Sequence, residues 1–136
     1  MKYIHLLPEQ ILPIVNLPKT YKCVVVIDKQ VSSEWQYSVS KWLVETGCVY
    51  MMATGENCSS WDDSVDIENI EKFIDSEDIP QEHFVYTSWH EEGVEEAFFF
   101  SKNCATHPSY KKLKTIVLHI SEINRETELK RNYESA

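Results

Sequence analysis

A chain of 136 residues with 43% hydrophobic and 12% aromatic content can build one core but not two, which excludes a disordered chain and argues for a single domain over residues 1–136. The net charge of −9 is unevenly spread: between Glu45 and Glu96 fifteen acidic residues stand against one base, Lys72, while the remainder holds seven acids and twelve bases. So acidic a middle repels phosphate and excludes nucleic acid as the expected partner, leaving a solvated face or a basic protein partner.

No apolar run approaches the ~20 residues that cross a bilayer. Pro8, Glu9 and Pro13 interrupt the N-terminal apolar stretch that a signal peptide would need. The expectation is therefore a cytoplasmic protein without a membrane partner. The four cysteines (Cys23, Cys48, Cys58, Cys104) show no framework spacing, which fits reduced thiols better than a disulfide scaffold.

Residues 1–20 read as a lead-in segment, with a short strand at Tyr3–Leu7 and a short helix opened by Pro8. The run Cys23–Asp28 contains four consecutive β-branched residues, apolar on both faces, and predicts a strand covered on both sides. Ser33 with Gln36 forms a capping-box pair, and Trp35, Val39, Trp42 and Leu43 recur at helical spacing, so a helix is expected over Ser33–Thr46 with Gly47 as its stop. A second strand follows at Cys48–Ala53, then a polar loop, Thr54–Ser59.

Ser60 offers an N-cap to the next helix, with Asp62 and Asp63 in its first turn and Ile67, Ile70, Phe73 and Ile74 as the inward stripe. His83–Trp89 reads as the third strand, and a helix begins at Glu91 and Glu92 and ends before Pro108. Its Phe98–Phe99–Phe100 run puts rings on more than one face, so one ring is expected under another element or at an interface. Thr115–Ser121 is the fourth strand, and residues 122–136 form a polar tail or short helix. Strands and helices thus alternate, which predicts an α/β three-layer sandwich: a mostly parallel four- or five-stranded sheet with helices on both faces.

Sites in such sheets form beyond the carboxyl ends of the strands. Those ends carry Asp28, Glu56–Asn57–Cys58, His90–Glu91–Glu92 and Ser121, with Asp62, Asp63 and Asp66 at a nearby helix start. Three glycines in all leave no glycine-rich phosphate loop. Cys58 and His90 are the sharpest enzymatic candidate, as nucleophile and base, but Glu56, Asp62 and Asp63 would oppose a thiolate. A buried Cys and a His at a helix start is the simpler account. Cys104 and His107 have half a zinc spacing with no second pair. No cofactor or metal is expected.

The acidic stretch is the remaining signal. Salt-bridge-laced helices interleave both signs and this one does not, while Trp61 and Trp89 add the aromatic anchors common at interfaces. The expected partner-binding set is Glu56, Trp61, Asp62, Asp63, Asp66, Trp89, His90, Glu91 and Glu92.

The runs Cys58-Ser-Ser-Trp-Asp-Asp-Ser-Val-Asp66, Thr87-Ser-Trp-His-Glu-Glu92 and Thr115-Ile-Val-Leu-His-Ile120 resemble a small family of uncharacterised bacterial α/β domains across residues 20–121. That resemblance carries no catalytic motif. In size, acidity and single-domain form the chain is also similar to the immunity proteins that neutralise bacterial toxins, including those of contact-dependent growth inhibition. The expectation is a toxin-neutralising protein whose acidic surface binds a cognate basic toxin, such as a nuclease. The alternatives are a small cytosolic enzyme using Cys58 and His90, or a regulatory interaction module.

Overall fold

In the computed structural model, which describes residues 1–136, the chain runs β1 (Lys2–Leu6), β2 (Tyr21–Ile27), α1 (Ser33–Thr46), β3 (Cys48–Gly55), α2 (Cys58–Lys72), β4 (Tyr86–His90), α3 (Val94–Asn103), β5 (Lys114–Ile120) and α4 (Glu126–Ser135), with one 3-10 turn at Gln81–His83. The five strands form one sheet in the order β1-β5-β2-β3-β4, every neighbouring pair parallel. The expected α/β sandwich is what the chain forms, with five strands.

Strand alternation decides the layering. Tyr21, Cys23, Val25 and Ile27 of β2 face a larger core shared with Val39 and Leu43 of α1 and Trp61 and Val65 of α2. Val24 and Val26 face a smaller core with Ala97 and Phe98 of α3 and Leu129 of α4. The β-branched run is therefore buried on both sides because each side has its own helix pair. Chain path and layering agree: β2 to β4 advance along the sheet with α1 and α2 on one face, and the return to β5 carries α3 on the other, as crossovers of one hand require.

Two glycines are fixed by close approach. Gly47 ends α1 in the left-handed region (φ 109°), and its N–H donates to the Leu43 carbonyl. A Cβ there would collide with the Lys19 carbonyl oxygen, and one at Gly55 (φ 106°) with that of Ile27. Both positions admit only glycine without rearrangement.

Several local expectations need correction. No helix follows Pro8: Pro8–Gln10 make a turn with Glu9 at φ 66°, and residues 11–18 carry no regular structure, as Pro13 and Pro18 dictate. Glu9 instead reaches α1, where its carboxylate accepts from the Ser32 N–H (2.8 Å) and hydroxyl (3.0 Å). Ser32, not Ser33, is the N-cap, accepting from the Trp35 N–H. Gln36 turns inward to the hydroxyls of Ser60 and Ser64, and Ser64 meets Ser40 at 2.8 Å, so small hydroxyl side chains hold α1 against α2. Helix α3 begins at Val94, leaving Glu91 and Glu92 in the preceding turn, and β4 begins at Tyr86 rather than His83. Of the phenylalanine run, Phe98 is buried, Phe100 packs against Tyr50 and Phe99 is exposed. No helix is long and apolar enough to cross a membrane.

Candidate functional site

Helix α2 and the edge strand β4 carry most of the expected site residues, but not in the arrangement the sequence suggested. The helix starts at Cys58 behind Asn57, which is left-handed (φ 54°); Ser60 is not the cap, and its hydroxyl donates to the Asn57 carbonyl. The inward stripe is Cys58, Trp61, Val65 and Asn69. The isoleucines expected inside are outside: Ile67, Ile70 and Ile74 are 41%, 57% and 67% exposed. Trp61, expected as a surface anchor, is 1% exposed and belongs to the core. Asn69 explains the rotation. Its side chain donates to the His83 carbonyl and accepts from the Val85 N–H, both at 3.0 Å, clamping the approach to β4 onto the helix.

The same rotation turns Asp62 and Asp66 toward β4. The Thr87 hydroxyl lies 3.0 Å from one Asp62 oxygen and 2.9 Å from one of Asp66. A hydroxyl has one proton to donate, so the second carboxylate meets a lone pair unless it is itself protonated. Burial, opposed by the Thr87 hydrogen bond and reinforced by the charge of Asp62, raises the Asp66 carboxyl to about 6. A groove of about 450 Å³ opens beside this pair, walled by Ile70, Ile79, Phe84 and Tyr86, with Asp66 and Thr87 at its polar end.

The remaining acids are solvent-facing. Glu56, Asp63, Glu91 and Glu92 are exposed, as is Trp89 at 49%. Strand alternation puts Trp89 on the α2 side of the sheet, with Thr87. Of the fifteen acids between Glu45 and Glu96, only Glu45 and Glu96 enter an ion pair. The others form no ion pair within the chain. Ile67, Ile70, Ile74, Phe84 and Trp89 are each exposed, on α2, in the connection that follows it and on β4, and Ile70 and Phe84 share the groove beside Asp66.

Cys58 and His90 lie in opposite layers and form no pair. Cys58 is buried in the α1–α2 core, while the His90 ring packs on Phe100 at 4.7 Å on the α3 side. His90 is itself buried, a correction to its expected place on a partner-facing rim. Its Nε2 lies 2.8 Å from the Ser88 hydroxyl and its Nδ1 2.5 Å from Glu96 Oε2. That is the atom order of a hydroxyl–imidazole–carboxylate relay. The carboxylate contact has ion-pair distance but not hydrogen-bond geometry, since Glu96 Oε2 is buried without a hydrogen-bond partner. Neither Ser88 nor His90 lines any of the main surface grooves. His107 also has both ring nitrogens engaged: Nδ1 accepts from the Ser109 N–H, so Nε2–H donates to the Phe84 carbonyl at 2.9 Å.

One constellation escaped the sequence reading except for Asp28. At the carboxyl ends of β2 and β5, Nε2 of the fully buried His119 meets Asp28 at 2.6 Å, and its Nδ1 meets the Tyr3 hydroxyl at 2.6 Å. Arg125 closes the ring, its backbone N–H donating to Tyr3 at 3.2 Å and its guanidinium to Asp28 at 2.8 Å. Burial lowers the His119 imidazole against the pull of Asp28, so the neutral ring donates Nε2–H to the carboxylate and accepts the Tyr3 proton at Nδ1. For Asp28, burial works upward, but the bonds from His119 and Arg125 prevail and hold the carboxyl below its usual range. Both His119 ring nitrogens and the Tyr3 hydroxyl are matched, and Asp28 Oδ2 takes the bonds of both His119 and Arg125. The constellation ties β1, β2, β5 and the entry to α4 together, and offers no free group for chemistry.

No curated protein matches the chain. A family model, Domain of unknown function (DUF7684), matches residues 1–136, the whole of the sequence, and the chain belongs to that family.

Proposed function

We propose that this protein is a non-catalytic binding module whose α2–β4 face captures a basic protein. The observation that carries the reading is the coincidence of exposed apolar side chains, Ile67, Ile70, Ile74, Phe84 and Trp89, with carboxylates that form no ion pair within the chain. Apolar anchors within a charged surround are the anatomy of a specific interface: the anchors set the lifetime and the charges set the encounter rate. A basic toxin, such as a nuclease, is the partner class that such a surface suits best. The module would neutralise it by occlusion, in the cytoplasm, with no chemistry of its own. Co-expression with the product of a neighbouring gene, followed by co-purification at low and high salt, tests this. A stable 1:1 complex with a basic protein supports it, and a complex that forms only with an acidic or uncharged partner refutes it.

A hydrolytic centre at Ser88, His90 and Glu96 is the second reading, favoured by the 2.8 Å and 2.5 Å approaches. It ranks below the first because Ser88 lines none of the main surface grooves.

A further inference from the structure

We infer that the partner adds a sixth strand to the sheet along β4 and inserts an arginine or lysine side chain into the groove beside Asp66. This rests on the basic-partner reading and specifies how that partner docks.

Three independent features converge here. First, β4 is an outer strand whose only partner is β3. Its sequence, Tyr86-Thr-Ser-Trp-His90, contains aromatic and β-branched residues and no Lys, Asp, Glu or Pro, and its ladder with β3 is unbroken. Natural sheets blunt exposed edges with charges, prolines or bulges, because a bare edge templates another strand. The opposite edge strand shows the contrast: β1 opens with Lys2, which is tied to the Asn16 carbonyl at 2.6 Å. An edge left unguarded on one side only is the layout of strand addition.

Second, the groove lies at the start of that edge, since Phe84, Val85, Tyr86 and Thr87 line it. Its size and walls suit a long side chain with an aliphatic stem and a charged end. Ile70, Ile79 and Phe84 would cover the methylenes, and Asp66 meets the charge.

Third, the carboxyl pair is worse for the empty fold than a neutral one. Asp62 and Asp66 compete for the one Thr87 proton, and no cation of the chain sits on either. An incoming cation supplies what the hydroxyl cannot, a countercharge for the second carboxylate. Local frustration of this sort concentrates at binding sites.

The test is a titration of isotopically labelled protein with extended nine-residue peptides alternating Arg or Lys with Val and Thr, alongside versions with Glu in place of the basic residues. The proposal expects the basic peptides to shift the backbone amides of residues 86–90 and to slow the hydrogen exchange of those not already bonded to β3. It also expects Asp66→Asn to weaken binding by about tenfold, and the Glu peptides not to bind. Perturbation confined to Glu56, Glu91 and Glu92, with the β4 amides unchanged, would overturn the strand-addition mode and leave the basic-partner reading standing. No binding by any basic peptide overturns the groove assignment. Equal binding of basic and acidic peptides overturns both that assignment and the basic-partner reading.

Discussion

Thr87 and Asp66 meet at 2.9 Å across the seam between β4 and α2, where Asp62 competes for the same hydroxyl proton from 3.0 Å. Folding thus crowds two carboxylates around one donor, and the Asp66 carboxyl rises to about 6, above its ordinary 3.8. A carboxyl raised on folding stabilises the fold below its unfolded value and loses that contribution as pH climbs through the folded one. Asp66→Asn should therefore match wild type near pH 4 and be more stable above pH 6. The expected gain is about 1 kcal/mol, after allowing for solvent screening of a half-exposed group. Urea denaturation of both proteins from pH 4 to pH 8 checks this; a variant that is less stable at pH 8 contradicts it.

The ring of Tyr3, His119, Asp28 and Arg125 has the opposite pH sign. Asp28 is held below its usual range and His119 is kept neutral. Both contributions are fully present above the ordinary values of the two groups and are lost as pH falls from those values through the lowered folded ones. Tyr3→Phe removes the acceptor of the Arg125 N–H and the donor to His119 Nδ1. That leaves buried polar atoms unmatched and should cost about 1–3 kcal/mol at pH 7. Denaturant midpoints measure the loss; an unchanged midpoint would mean that water replaces the hydroxyl.

Trp61→Ala should be among the most damaging single substitutions, costing about 3–5 kcal/mol, because it empties the centre of the α1–α2 core. Trp89→Ala should leave stability within about 0.5 kcal/mol, given its exposure, but weaken partner binding. A pair of thermal melts separates the two roles of tryptophans that look alike in the sequence.

Cys58→Ala and Ser88→Ala should both retain full protective or binding activity. Cys58 is buried among the residues of the larger core, and Ser88 lines none of the main grooves. Loss of activity in folded Ser88→Ala, with rescue by Ser88→Thr or Ser88→Cys, would favour the hydrolytic reading.

Much of the architecture was legible because its signals are local. The doubly covered run of β2, the α1 periodicity and the Gly47 stop each depend on neighbours within a few residues. The orientation of α2 was not. Ile67, Ile70 and Ile74 satisfy a helical stripe as well as Trp61 and Val65 do, and the choice between them is made by Asn69, which binds backbone 14 and 16 residues away. The His119 ring was illegible for the same reason, its members being 91 to 122 residues apart in the chain. In the candidate site the acidic composition was visible from the sequence. Which acids are exposed, which are paired to Thr87, and which hydrophobic residues accompany them required the fold.

The central claim, capture of a basic protein by the α2–β4 face, is tested most directly by association kinetics with the co-purified partner across a salt series. Wild type is compared with Asp63→Lys, Glu91→Lys, Glu92→Lys, three exposed positions whose reversal leaves the core untouched. The account predicts that the triple variant associates at least about tenfold more slowly at low salt and that its rate depends less steeply on salt. Equal rates with the same salt slope would mean that the acidic face is only solvated and that the partner docks elsewhere.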